Sequence, residues 1–155
     1  MEQQTATYFR KMNGLGNDFV IFDGRTIPLA LSTETITALA DRQSGIGCDQ
    51  LIILEESSLA DLFMRIYNAD GSEVDACGNV SRCVADIIMS EKNEPTCMIE
   101  TGAGLLGCAR AAEGLISVDM GEPKFAWNDI PLSEEFADTR MIELQIGPIG
   151  APNLH

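Results

Sequence analysis

The chain has 155 residues, 45% of them apolar, enough for one full hydrophobic core with a piece of a second and too many for a disordered tail. Its net charge of −14, with 10 basic residues and no Lys/Arg cluster, argues against nucleic acid and anionic membrane as partners, because both need a basic footprint. No window approaches an uninterrupted apolar span of membrane length and "MEQQTATYFRK" lacks a secretory-signal pattern, so the expected location is cytoplasmic.

In chain order, "YFRKM" and "FVIFD" are predicted strands flanking a glycine-rich loop, "NGLGND". "TETITALADRQ" is a predicted helix with Ser32 or Thr33 as its cap, and "SGIGCD" a second glycine loop. "LIILEE" and "DLFMRIYNA" follow as strands, the second alternating Leu62, Met64 and Ile66 on one face, before Asp70-Gly71 turns the chain. From Gly78 to Lys92 the residues Val80, Cys83, Val84, Ile87 and Ile88 recur at the spacing of an amphipathic helix, with one face directed into a core. "TCMIET", "LLGCARA" and "LISVDMG" are short strands, so the fold class is α+β and not alternating βαβ. Between Gly121 and Asp138 the composition shifts to that of a linker, and "TRMIELQI" opens another strand. Residues 146–153, "IGPIGAPN", echo residues 12–17, "MNGLGN". The expected division is therefore a domain over 1–125, then a linker and the first strand of a second, similar domain over 126–155.

Several motifs fail on context. "GLGNDF" lacks the last Gly of a dinucleotide fingerprint and is followed by a strand where a helix is required. "NADGSE" lacks the Glu that a calcium loop needs at its twelfth position, where Asn79 stands. The five cysteines, Cys48, Cys77, Cys83, Cys97 and Cys108, are odd in number, contain no C-x-x-C, and have one histidine, His155, to accompany them, so reduced thiols are expected and no metal site. Cys48, Cys83, Cys97 and Cys108 are expected to be small core hydrophobes.

Cys77 differs because it immediately precedes a helix. Unpaired N–H groups and the positive end of the helix dipole favour thiolate over thiol there, and the N–H groups of Gly78 and Asn79 can hold a carboxylate. Gly78 offers no Cβ to block its approach. A thiolate base beside a carboxylate anchor is a device for removing the α-proton of an amino acid.

"KMNGLGNDFVIFD", "DRQSGIGCDQLIILE", "RIYNADGSEVDACGNVSRC" and "ISVDMGEPKF" resemble, in that order, segments from the N-terminal half of diaminopimelate epimerases, over roughly residues 8–125. The resemblance implies a β-barrel-like sheet wrapped around a central helix, two such domains per molecule, and substrate in the cleft between them. It implies cofactor-independent conversion of LL-diaminopimelate to the meso form, for lysine and cell-wall synthesis, with one catalytic cysteine from each domain. Carried over by motif, Cys77 is the first of these. Gly78 and Asn79 receive the α-carboxylate, and Asn17, Gln50, Asn68 and Asn153 contact the substrate. The small-molecule substrate is the expected partner, a homodimer is a possible assembly, and no cofactor is implied. Asn13 and Val80 depart from the family's usual His and Gly. No counterpart of the second catalytic cysteine is present, so the chain is expected to be inactive alone. The rivals are another racemase or isomerase of the same fold, proline racemase-like or from phenazine synthesis, and a noncatalytic amino-acid-binding fragment.

Overall fold

The computed structural model describes residues 7–130, 132, 135 and 138–141, and the chain divides into two compact units, with the division after Met120. In the first unit, β1 (Phe9–Gly14), β2 (Asn17–Asp23), β3 (Gln50–Glu55), β4 (Leu62–Asn68), β5 (Glu73–Val74), β6 (Thr96–Thr101), β7 (Gly104–Arg110) and β8 (Ile116–Asp119) form one sheet. Its order is β1-β2-β3-β4-β6-β7-β8, with β5 on the remaining length of the β4 edge. Helix α1 (Thr33–Ala40) lies between β2 and β3, and α2 (Gly78–Lys92) between β5 and β6.

The apolar runs "FVIF" and "LIIL" are explained by burial on both faces of the sheet. Phe19, Ile21, Ile52 and Leu54 join the core around α2, whereas Val20, Phe22, Leu51 and Ile53 join a second core with Ile36 and Ala40 of α1. β4 is covered on one face, and it alternates as the sequence suggests: Leu62, Met64 and Ile66 are buried while Phe63, Arg65 and Tyr67 are half-buried. Both outer strands, β1 and β8, reach α2, so the sheet curls around that helix as an open half-barrel. The α2 core therefore exceeds a single stripe: Ser81, Ala85 and Met89 are buried along with Val80, Cys83, Val84, Ile87 and Ile88.

Three local expectations are corrected. "NGLGND" is not a loop: β1 runs to Gly14, β2 begins at Asn17, and Leu15 and Gly16 alone turn the chain, with φ of 50° and 92°. Positive φ at both central residues is the type I′ hairpin geometry, whose twist matches that of paired strands. α1 ends at Ala40 because the Asp41 carboxylate accepts hydrogen bonds from the N–H groups of Gln43 and Ser44, folding the chain into a turn. Ser32 is its cap, its Oγ accepting from Thr35 N. Thr139–Met141 form a turn and bend, not the start of a strand, with the Asp138 carboxylate holding Arg140 N and its guanidinium. The rest of that expected strand, residues 142–146, and the echo over 146–153 lie outside the described residues.

The sheet is also mixed. β2 and β3 are parallel, joined through α1, and β4 and β6 are parallel, joined through α2. Among the described residues no helix is long and apolar enough to cross a membrane.

Candidate active site

Strand direction gathers the predicted residues. β2 and β3 are parallel and start at one end of the sheet, and β4, antiparallel to β3, finishes there. Asn17 opens β2, Gln50 opens β3, and Asn68 closes β4 directly opposite Gln50. Gln50 Nε2 donates to Asn68 Oδ1 at 3.2 Å, and Asn68 Nδ2 donates to Ser72 Oγ at 3.1 Å. The short return through β5 brings α2 to the same end, where Asn79 Nδ2 donates to Asn17 Oδ1 at 2.7 Å. Cys77, Gly78, Asn79 and Asn17 thus form one group, and Gln50 with Asn68 a second on the adjoining strands. Asn153 lies outside the described residues.

Cys77 is the N-cap of α2, with extended backbone at φ −153° and ψ 112°, and its side chain makes no capping hydrogen bond. Its carbonyl accepts the first helical bond, from Ser81 N at 3.0 Å, and a second from Ser81 Oγ at 2.8 Å. The N–H groups of Gly78, Asn79 and Val80 therefore precede the helical ladder and have no intrahelical partner. A Cβ placed on Gly78 would meet only Met120 Sδ, at 3.7 Å, so there is room beside the first residue of α2. Beneath these N–H groups Val80 is fully buried, and the Cys77 side chain is half-buried against the same core.

The other four cysteines are buried, as expected from their positions in strands and on the helix stripe. Burial pushes the thiols of Cys48, Cys83 and Cys108 up, and that of Cys97 up to about 12, with Cys108 adding to the effect as its neighbour. Cys77 is the one half-buried thiol.

β1 supports the helix start. A Cβ at Gly14 would lie 3.1 Å from Asn79 O and 3.3 Å from Cys83 Sγ, so glycine permits the hairpin to lie against the first turns of α2. Asn13 contributes its carbonyl, 3.7 Å from Cys83 Sγ.

Charged residues that no motif singled out surround these amides. Asp49 Oδ2 accepts from Asn17 Nδ2 at 3.4 Å and from Asp18 N at 2.9 Å, and Arg42 bridges Asp18 and Asp49 at 2.7 and 2.8 Å. The Arg42 guanidinium, aided by Lys11, holds the Asp18 carboxyl well below the usual carboxylate range. Arg82 donates to Asn79 Oδ1. The available signal was positional: Arg82 stands three residues beyond Asn79 on a helix, and Asp49 directly precedes Gln50.

The described concave surfaces lie elsewhere. One of about 580 Å³ is lined by Asp61, Lys92, Cys97, Cys108 and neighbours, and none described includes Cys77.

The half-barrel wound about α2 has counterparts among solved structures. The fold matches a hydroxyproline epimerase from Agrobacterium vitis (TM-score 0.54, 17% identity, 71% of this chain and 40% of that one). It also matches a methylitaconate delta-isomerase (TM-score 0.55, 20% identity, 81% and 39%). Sequence gives the family: the diaminopimelate epimerase family model matches residues 9–126, and the chain belongs to that family. It is 53% identical over 150 residues to a diaminopimelate epimerase of Rhodopseudomonas palustris, covering 95% of this chain and 50% of that protein. It is 49% identical over 147 residues to one of Acidiphilium cryptum, covering 95% and 53%. The chain spans about half the length of the curated relatives it matches.

Proposed function

We propose that this chain supplies one half of a two-thiol acid/base site that inverts the α-carbon of LL-diaminopimelate, giving the meso isomer without a cofactor. The observation that carries the reading is the placement of Cys77, the half-buried thiol, at the uncapped N-terminus of α2 beside the Asn17 and Asn79 amides. The substrate's α-carboxylate binds the N–H groups of Gly78 and Asn79, which brings its α-carbon to Cys77. The Cys77 thiolate then takes the α-proton: an S–H bond forms, the C–H bond breaks, and the electron pair stays on the carbon. Proton delivery to the opposite face by a second thiol completes inversion. In the reverse direction the two thiols exchange roles. Cys48, Cys83, Cys97 and Cys108 are buried in the cores and do not provide that second thiol. Gln50, Asn68 and Asn153 are assigned to the remainder of the substrate, and residues 126–155 to the linker and start of a second domain.

Two experiments test the reading. Titration of the ¹⁵N-labelled chain with diaminopimelate should shift the resonances of Asn17, Gln50, Asn68, Gly78 and Asn79; a response confined to the Cys97/Cys108 cavity would contradict it. The 155-residue chain alone should not invert LL-diaminopimelate, because deprotonation from one side cannot deliver inversion efficiently. Inversion at rates far above a Cys77→Ala control would refute the two-thiol division.

A further inference from the structure

Arg82 stands apart from the other arginines. Arg10, Arg25, Arg42, Arg65, Arg110 and Arg140 each pair with a carboxylate, whereas Arg82 pairs with none among the described residues, in a chain with 24 acidic residues. It lies near the N-terminus of α2, where the helix dipole is already positive and a cation is unfavourable unless an anion completes it. Its recorded partner is the amide oxygen of Asn79.

That bond sets the direction of a relay. A guanidinium can only donate, so Asn79 must present its oxygen to Arg82 and its nitrogen to Asn17. Asn79 Nδ2 donates to Asn17 Oδ1 at 2.7 Å, which turns Asn17 Nδ2 towards Asp49 Oδ2, at 3.4 Å. A carboxylate can only accept, and Asp49 is held in turn by Asp18 N and Arg42. The chain therefore starts on an obligate donor and ends on an obligate acceptor, and neither amide can rotate by half a turn without breaking two bonds. Each amide nitrogen uses one hydrogen in the relay and keeps one. Two N–H hydrogens, one on Asn17 and one on Asn79, are thus left over on amides of fixed orientation at the start of α2.

We propose that Arg82 is a positioning residue: through Asn79 it orients both amides so that they present donors to an anion at the N-terminus of α2, and its charge, unpaired among the described residues, biases that anion towards a carboxylate. The identity of the anion rests on the function proposed above; the orientation of the amides does not. With Arg82 removed, Asn79 can turn its oxygen towards the ligand, and an acceptor then faces a carboxylate.

The test uses the ¹⁵N-labelled 155-residue chain without ligand, reading water exchange of the Asn17 and Asn79 side-chain NH₂ groups by NMR. Arg82→Met is expected to accelerate exchange about tenfold, the order of a hydrogen bond to a charged group, at Asn79 first and Asn17 next. Arg82→Lys, which keeps a charged donor, should restore most of the protection. Backbone amides from Val84 to Met89 should be unchanged in both variants. Unaltered side-chain exchange in Arg82→Met would overturn the proposal, as would equal acceleration in Arg82→Lys, or acceleration matched by lost backbone protection along α2. A second arm adds diaminopimelate: its affinity should weaken about tenfold in Arg82→Met. If the unmodified chain does not respond to diaminopimelate, the substrate assignment fails, while the exchange result still decides the relay.

Discussion

At its C-terminal end α2 is closed. Asn93, in the left-handed conformation at φ 54°, returns its N–H to Met89 O, Glu94 N reaches the same carbonyl at 3.1 Å, and Lys92 pairs with Asp61 and Glu94 at 2.8 Å each. At its N-terminal end the Cys77 side chain makes no capping hydrogen bond, and this cysteine occupies the position where Ser, Thr, Asp or Asn would satisfy a free N–H. One helix thus carries a finished end and an unfinished one. Stability favours finishing both, so the open end marks where backbone donors are reserved for something other than the fold.

Substitutions along α2 break or sharpen this contrast. The largest loss is expected in its middle: Ile88→Ala removes a side chain that is 1% exposed and should cost about 2–5 kcal/mol in denaturant unfolding, from lost transfer energy plus the cavity left behind. At the finished end, Asn93→Ala should cost about 1–2 kcal/mol, because alanine tolerates the left-handed conformation poorly, whereas Asn93→Gly should stay within a few tenths. At the unfinished end the sign reverses. Cys77→Ser places a preferred cap on extended backbone and should raise stability by about 0.5–1 kcal/mol while removing the thiol. A loss of stability in Cys77→Ser would mean that the cysteine serves packing, and the contrast between the two ends would fall.

The smallest effect concerns pH. Asp18 is held ionised chiefly by Arg42, so its folded-state value lies below its unfolded one. Its contribution is complete above the ordinary carboxylate range near ~4 and is lost as pH falls below it. The pair is partly exposed, so the loss should be at most about 1 kcal/mol, and Asp18→Asn should flatten that part of the acid unfolding curve. A curve unchanged by Asp18→Asn would remove this cluster from the forces that steady Asp49 and Asn17.

The same contrast explains what the sequence made legible. α2 was readable from Gly78 to Lys92 because its apolar spacing is helical over its whole length and a glycine follows the thiol at its start. The hairpin at Leu15-Gly16 was not, since Leu is an uncommon residue for positive φ and the local composition resembles a loop. Both parallel pairings escaped as well: they depend on how α1 and α2 cross the sheet, and an apolar run such as "LIIL" is the same whichever neighbour it pairs with. Asn17, Gln50, Asn68 and Asn79 were singled out through resemblance, and the fold brings them to one end of the sheet. Arg82 and Asp49 were not singled out, because a charged side chain beside a motif reads as solvated surface until a partner is seen across the fold.

The central claim, that the open end of α2 presents a working thiol to a carboxylate ligand, is tested most directly by limiting alkylation. The folded chain is treated with iodoacetamide at neutral pH, with and without diaminopimelate, and mapped by peptide mass. Cys77 should be modified well ahead of the four thiols whose burial keeps them protonated, and diaminopimelate should slow its modification. Modification of Cys48 or Cys97 before Cys77, or a Cys77 rate indifferent to saturating diaminopimelate, would contradict the account.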